Sequence, residues 1–262
     1  MARSARRATS SQPKSFFDGW VAPTYPVTGN RNFVVCREHQ AGRNAALASI
    51  ATAIKDHLVR PLNDIAVWQN LPLAAQYIKN SLPTSKKIRS GDLGEIIATE
   101  YAAARSGFQI PIKRLRFKDD RNTSMRGDDV IGIQRTAQGR RRVLKVESKS
   151  RVSLAAQAVL EADEALMQNF ARPNPSTLAF ISKRLRDEGR VTDAALIEAI
   201  QLEGLQTRDV EHLLFTFSGN DPTTALSAHV TCTLKTIRRH AVGIVIADHQ
   251  EFIRLAFEAV HA

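Results

Sequence analysis

Acidic residues and lysines recur at short intervals in the segment from 126 to 151, RGDDVIGIQRTAQGRRRVLKVESKSR. Asp129 opens one apolar run, and Glu147 and Lys149 lie two residues apart in a second run. Side chains of a strand alternate between faces, so Glu147 and Lys149 share a face, and a hairpin would let Asp129 converge with Glu147. Because adjacent carboxylates repel each other unless a cation lies between them, the pattern predicts a site for Mg²⁺ or Mn²⁺.

Lys149 and Glu95 complete the set of candidate catalytic residues. A lysine beside the metal can help to orient or deprotonate an attacking water, and it can stabilise negative charge on a phosphate. Glu95, in GDLGEII, lies in the first turn of a predicted helix, from which it could bind the metal. The alternative is a capping role, three residues after Asp92. Asp128 is a possible ligand, although strand alternation would direct it away from Asp129.

Positive charge is concentrated around these residues. The formal net charge of the chain is +11, and residues 112 to 151 hold 13 Lys or Arg against 5 acidic residues. So basic a patch attracts phosphates and releases counterions when it binds them, which favours nucleic acid as the partner. The alternative is a solvated face that binds nothing specific. The residues predicted to contact nucleic acid are Arg116, Lys118, Arg126, Lys145 and Arg151.

Hydrophobic periodicity predicts the elements that position these residues. Asp92 would cap a helix that runs to about Arg105 and closes at Gly107. Three extended segments follow, at 108–117, 129–134 and 142–149, and the loop TAQGR makes the last two a hairpin. Further helices are predicted at 45–59, 153–170, 176–188, 192–203 and 248–260, with a strand at 243–247 and a strand or helix at 212–217. The order of elements predicts an α/β protein with a mixed sheet.

Composition sets broad limits on the class of protein. The chain has 262 residues, 43% of them hydrophobic, which suffices for one large domain or two small ones. The stretch NSLPTSKKIRSGD reads as a linker, so we expect an N-terminal region at 1–87, with a basic tail and a small helical part that docks a partner, and a second unit at 88–262. No apolar run is long enough to span a membrane and no apolar segment follows the basic start, so we expect a cytoplasmic protein.

Cysteine and histidine offer little further chemistry. Cys36 and Cys232 are too few and too far apart for a disulfide framework or a cysteine-based zinc site. The seven histidines show no spacing typical of metal ligands. Because no histidine lies between residues 58 and 211, a serine–histidine arrangement at Ser148 or Ser150 has little local support.

The arrangement of the acidic residues resembles a known superfamily. Glu95 on a helix, then GDD before one strand and ESK on the next, resembles the PD-(D/E)xK nucleases. More narrowly, SGDLGEIIATEY, RLRFKDDRNTSMRGDDVIG and VESKSR resemble the HamA-like family, the nuclease subunit of the Hachiman anti-phage defence system. The resemblance covers residues 88 to 155 well and the C-terminal half more loosely. The superfamily name has a proline before its aspartate, and here Gly127-Asp128-Asp129 stands in that place.

The resemblance implies both a fold and an activity. The fold would be a PD-(D/E)xK nuclease-like core at 88–262, a mixed sheet flanked by helices with an additional N-terminal region and a helical C-terminal part. The activity would be metal-dependent cleavage of DNA, with Glu95, Asp129 and Glu147 as ligands of Mg²⁺ or Mn²⁺ and Lys149 as a further catalytic residue. A separate helicase subunit, HamB-like, would restrain the nuclease; this chain has no GxxxxGK[ST] phosphate loop of its own.

Two other functions are compatible with the same residues. One is a catalytically silent module that binds DNA or serves as a scaffold for a helicase. The other is a resolvase or restriction-type nuclease without a defence partner. The E, D and E-x-K residues favour the enzyme over the silent module, since a silent module has no reason to retain all four.

Overall fold

A computed structural model describes residues 15–59, 72–231 and 237–261. It contains a six-stranded mixed sheet with helices on both faces, which confirms the predicted α/β class. The strands are β1 Val21–Thr24, β2 Phe33–Glu38, β3 Val130–Arg135, β4 Arg141–Arg151, β5 Val210–Ser218 and β6 Arg238–Val245. The basic tail, Trp68 and Cys232 lie outside the described residues.

Helices precede, connect and follow these strands. They are α1 Phe17–Trp20, α2 Arg43–Leu58, α3 Pro72–Ser81, α4 Lys86–Arg105, α5 Ala156–Ala171, α6 Pro175–Asp187, α7 Val191–Glu203, α8 Thr223–Thr231 and α9 His249–Glu258. Short 3-10 turns include Arg114–Phe117 and Thr207–Asp209. The predicted helices after residue 150 and the helix at 45–59 are confirmed to within a few residues.

The sheet has the order β1-β2-β6-β5-β4-β3. Strands β2, β6, β5 and β4 are parallel, and β1 and β3 are antiparallel strands at the two edges. The segment at 212–217 is a strand, and all nine residues of β5 are buried. This fits its apolar sequence, because a parallel strand in the middle of a sheet is covered on both faces.

Three clusters of buried side chains hold the helices to the sheet. Helices α1, α2, α4 and α9 cover one face, where the large aromatic residues Trp20, Phe217 and Phe252 pack together. On the other face, α5 and α8 pack against β2, β5 and β6, whereas α6 and α7 pack against β3 and β4. Both faces of β4 are therefore covered over residues 143–146.

The β3–β4 hairpin matches its prediction, but two neighbouring elements do not. Helix α4 begins at Lys86, so Asp92 lies inside the helix and does not cap it, and most of the predicted linker is helical. The segment 108–117 is not a strand: it forms one isolated bridge, between Gln109 and Ile133, and then a 3-10 turn. Pro111 explains the interruption, because proline cannot donate a ladder hydrogen bond.

The predicted boundary between residues 87 and 88 falls in the first turn of α4. Strands β1 and β2, which precede that boundary, belong to the same sheet as the four strands that follow it. The division into two units, with partner docking by the first, stays a prediction. Within the residues that the structure describes, every helix is too short or too polar to traverse a lipid bilayer.

Candidate active site

Asp129 and Glu147 face each other at the end of the hairpin. The register pairs Val130 with Val146, which sets the preceding residue, Asp129, opposite Glu147. Asp129 Oδ2 accepts hydrogen bonds from the backbone N–H of Ser148 at 2.8 Å and from the Ser148 hydroxyl at 3.0 Å. The antiparallel pairing therefore brings together the two carboxylates on which the predicted metal site depends.

Glu147 is a partly buried acid whose neighbouring positive charge does not balance the negative charge around it. Lys149 Nζ lies 2.7 Å from Glu147 Oε1, as two residues on the same face of a strand can do. Burial and the nearby charge of Asp129 nevertheless raise the pKa of Glu147 to about 7, against the lowering effect of Lys149. One ammonium thus fails to offset the desolvation and repulsion of two carboxylates, so this position favours a further cation.

Glu95 lies near these carboxylates but is bound to an arginine. Its Oε1 accepts a hydrogen bond from Arg114 Nε at 3.0 Å, and both side chains are buried. Burial raises the pKa of Glu95 well above its usual range; Arg114 opposes the rise, and the charges of Asp129 and Asp92 add to it. Glu95 is thus close enough to Asp129 for their charges to interact, but its carboxylate is committed to Arg114.

Arg114 connects helix α4 to the loop that carries the aspartates. Its guanidinium donates to the carbonyls of Met125 at 3.2 Å, Arg126 at 3.3 Å and Asp128 at shorter range. A single arginine therefore fixes the backbone directly before Asp129 to the carboxylate of Glu95. Sequence analysis missed this role, since the basic side chains around residue 114 suggested only contacts with nucleic acid.

Gly94 lets α4 lie close against β4. A Cβ at this position would be 2.9 Å from the Cβ of Ser150, closer than side chains normally approach. The small residue therefore brings the next residue, Glu95, over the sheet. Ser150 in turn donates to or accepts from Ser90 Oγ at 2.9 Å and His249 Nε2 at 3.0 Å. This serine–histidine contact was not expected, because 99 residues separate the two partners.

Asp128 and Lys145 form a second charged pair on the hairpin. Lys145 Nζ lies 3.2 Å from Asp128 Oδ1 and donates to the carbonyls of Ala165, Gln168 and Arg172 at 3.0 to 3.3 Å. The other carboxylate oxygen of Asp128 accepts from the N–H of Asn174 at 2.6 Å. Strand alternation predicted that Asp128 would face away from Asp129. The prediction does not apply, because Asp128 lies in a loop before β3.

The predicted nucleic-acid contacts divide into buried and exposed residues. Lys145 is 2% exposed, and Lys118 is buried in an ion pair with Asp92, so neither ammonium is accessible to a phosphate backbone in this structure. Their positive charge instead balances internal carboxylates. Arg116 donates to the carbonyl of Asp56 at 2.6 Å and to its carboxylate at 3.1 Å. Arg126 and Arg151 are exposed.

The donor atoms of this site suit a magnesium ion held by few protein ligands. Among the described ranges, no group of three or more His, Cys, Asp or Glu is arranged to hold a metal, so the predicted three-ligand set is not assembled. Mg²⁺, however, is commonly bound by one or two carboxylates, with water and substrate phosphate completing its shell. Asp129 and Glu147 fit that requirement, and the raised pKa of Glu147 indicates a place for positive charge.

The fold and site together define an α/β protein with a carboxylate and E-x-K site on a hairpin at the edge of a mixed sheet. A family model described as HamA matches residues 17–260, and the chain belongs to the HamA family of the Hachiman anti-phage defence system. A curated relative, the Hachiman protein HamA of Bacillus cereus, is 32% identical over 158 residues. The match covers 57% of this chain and 55% of the relative, so the chain spans about half the length of that protein.

Proposed function

We propose that the protein is a divalent-metal-dependent endonuclease with a PD-(D/E)xK-like core that cuts DNA as the effector of its defence system. The observation that carries the proposal is the pairing of Asp129 with Glu147, whose pKa is raised to about 7 although Lys149 touches it. A purely structural ion pair would balance its charges. This site has an excess of carboxylate, as expected of residues that await a metal and a phosphate.

Each residue would have a distinct role in hydrolysis. Asp129 and Glu147 would hold Mg²⁺ or Mn²⁺, which when bound supplies a Lewis acid for the phosphate and lowers the pKa of a coordinated water. Lys149 would orient the attacking water and stabilise charge on the phosphate. Arg114 and Glu95 would act through the loop, by holding the backbone before Asp129 in place.

A specific observation favours the second candidate, a catalytically silent DNA-binding scaffold. Glu95 and Glu147 are each ion-paired, with Arg114 and Lys149 respectively, and the part of the chain that the structure describes contains no three-ligand metal cluster. In either case we propose that the protein works with a separate helicase subunit. Its membership of a defence system supports the existence of partner proteins.

Substitution of Glu147 or Lys149 tests the proposal directly. Plasmid DNA is incubated with the protein, Mg²⁺ or Mn²⁺ and the helicase subunit. We expect Glu147→Ala and Lys149→Ala each to lower the cleavage rate by about 100-fold or more, because each removes a group that acts on the reacting phosphate. The matched controls are Glu161→Ala on the exposed face of α5 and Lys183→Ala, whose side chain is 70% exposed.

The outcomes separate the candidate functions. Cleavage by both variants at the rate of the parent protein would show that the site is wrongly assigned. Failure of the parent itself to cleave with either metal and with the partner present, together with retained DNA binding, would favour the scaffold.

A further inference from the structure

Ser148 lies between Glu147 and Lys149 in the sequence, but its hydrogen bonds go to Asp129. Its backbone N–H and its hydroxyl both donate to Asp129 Oδ2, at 2.8 Å and 3.0 Å. Side chains alternate along a strand, so Ser148 belongs to the face of β4 opposite to Glu147 and Lys149. Its hydroxyl can therefore hold Asp129 without entering the space between the two carboxylates.

The bond from the Ser148 N–H takes the place of a backbone bond in the hairpin ladder. The register of β3 and β4, extended by two residues beyond Val130, would set Asp128 opposite Ser148. Strand β3 begins only at Val130, however, and the carbonyl of Asp128 accepts a hydrogen bond from Arg114. Because the ladder stops here, the Asp129 carboxylate accepts the hydrogen bond of this N–H instead.

Each carboxylate of the site has one oxygen engaged in hydrogen bonds and one oxygen without them. Ser148 donates to Oδ2 of Asp129, and Lys149 Nζ lies 2.7 Å from Oε1 of Glu147. Among the residues that the structure describes, no donor makes a hydrogen bond to Asp129 Oδ1 or Glu147 Oε2. One available oxygen from each of two carboxylates suits Mg²⁺, which keeps several waters in an octahedral shell. Ca²⁺ takes more oxygens and often both oxygens of one carboxylate.

We propose that Ser148 is a positioning residue, whose two hydrogen bonds orient Asp129 so that a single oxygen, Oδ1, is presented to a divalent cation. This role rests on the proposed nuclease function and deepens it, because it would make the site selective for a small octahedral cation. Hydrogen-bond partners of metal-binding carboxylates fix their orientation, and loss of such a partner commonly weakens metal binding by about 10- to 100-fold. Loss of the hydroxyl alone should fall near the lower limit, since the backbone N–H remains.

Metal binding in the absence of DNA tests this role without relying on cleavage. Mn²⁺ is titrated into the protein, and the free ion is measured by electron paramagnetic resonance. We expect Ser148→Ala to raise the Kd for Mn²⁺ by about tenfold, and Ser148→Thr, which retains a hydroxyl, to bind Mn²⁺ within about twofold of the parent protein. Displacement of Mn²⁺ by Ca²⁺ measures the affinity for the larger ion. Ser148→Ala should lose less than about threefold in Ca²⁺ affinity, because Oδ2 becomes available to a cation that accepts both oxygens.

Ser150→Ala is the matched control for the loss of a hydroxyl. Ser150 lies two residues further along the same face of β4, and its hydroxyl contacts Ser90 and His249, outside the proposed metal site. The melting temperature of each variant is measured without metal, so that a general loss of stability is separated from a change at the site. We expect Ser150→Ala to bind Mn²⁺ within about twofold of the parent protein, whatever its stability.

Failure of this role and failure of the proposed function give different results. If Ser148→Ala binds Mn²⁺ as tightly as the parent protein, if Ser150→Ala weakens binding equally, or if Ser148→Thr does not restore it, the positioning role is overturned and the nuclease assignment stands. Equal losses of Mn²⁺ and Ca²⁺ affinity in Ser148→Ala would overturn the presentation of a single oxygen. If Glu147→Ala binds Mn²⁺ as tightly as the parent protein, or if the parent protein binds none, the metal site itself is wrongly placed and both proposals fail.

Discussion

Two pairs of charged side chains lie side by side on the β3–β4 hairpin and behave differently. Asp128 and Lys145 balance each other, and the remaining hydrogen-bonding capacity is met by three backbone carbonyls and one N–H. Asp129 and Glu147 have the same charge, and one ammonium, from Lys149, is close to Glu147. Residue type therefore does not distinguish the balanced pair from the pair at the proposed site. The balance of charge around each pair does.

Removal of the buried lysine should have the largest effect on stability. Lys145→Met leaves Asp128 buried without its cation and three carbonyls without a donor. Because breaking a buried ion pair by removing one partner costs about 3–5 kcal/mol, we expect a loss of that size in the free energy of unfolding, measured in urea. Lys183→Met, at an exposed lysine, should cost less than about 0.5 kcal/mol.

A second substitution sharpens that result. Lys145→Met combined with Asp128→Asn removes both charges, so it should recover part of the lost stability. If Lys145→Met alone were as stable as the parent protein, the Asp128–Lys145 pair would not be a structural ion pair of the kind proposed.

The second largest effect concerns pH. The pKa of Glu147 is raised from 4.5 to about 7, so the folded protein holds this proton more tightly than the unfolded chain does. The resulting stabilisation is present in full below about pH 4.5 and is lost as the pH rises to about 7 and beyond. Glu147→Gln removes this dependence.

We therefore compare the free energy of unfolding of Glu147→Gln with that of the parent protein, in buffer without divalent ions. As the pH is raised from acidic values to values above the pKa of Glu147, we expect the variant to gain up to about 3 kcal/mol relative to the parent protein. Urea unfolding over a pH series measures the difference. Glu161→Gln, at an exposed site, is the control. A difference between Glu147→Gln and its parent that is constant with pH would show that Glu147 is not an unbalanced acid.

The smallest effect tests the helix that brings Glu95 to the sheet. Gly94→Ala places a methyl group 2.9 Å from the Cβ of Ser150, and such overpacking costs about 1–3 kcal/mol. Gly91 is the matched control, because it lies in the same helix with nothing within 4 Å of an added Cβ. Gly91→Ala should be neutral or stabilise the helix by up to about 1 kcal/mol. Equal thermal stability of the two variants would mean that α4 can shift away from β4 without cost.

Sequence reasoning succeeded where local periodicity decides the geometry. The period of two along β4 and the short turn after β3 were sufficient to set Asp129 opposite Glu147 and Lys149 beside it. The α/β class followed from the order of elements. In the first case the information lies within a few consecutive residues, and in the second it lies in the periodicity of each element along the chain.

Sequence reasoning failed where contacts between distant segments determine the geometry. Glu95 and Arg114 are 19 residues apart, and nothing local indicates that a basic residue after a proline turns inward. The start of α4 was misplaced because Ser85 gives its helix no side-chain cap and the first turn is rich in lysine. Lys145 and Lys118 were read as surface charges because their acidic partners come from other elements.

Strand β4 has three tasks within six residues: Lys145 pairs with buried Asp128, Glu147 and Lys149 belong to the proposed reaction centre, and Ser150 contacts helices α4 and α9 through Ser90 and His249. An insertion within this strand would swap the two faces from that point on and exchange these tasks at once. The turn at 136–140, by contrast, can change in length at little cost, since its residues serve none of them. Natural variation among family members should therefore accumulate in the turn and spare the length of the strand.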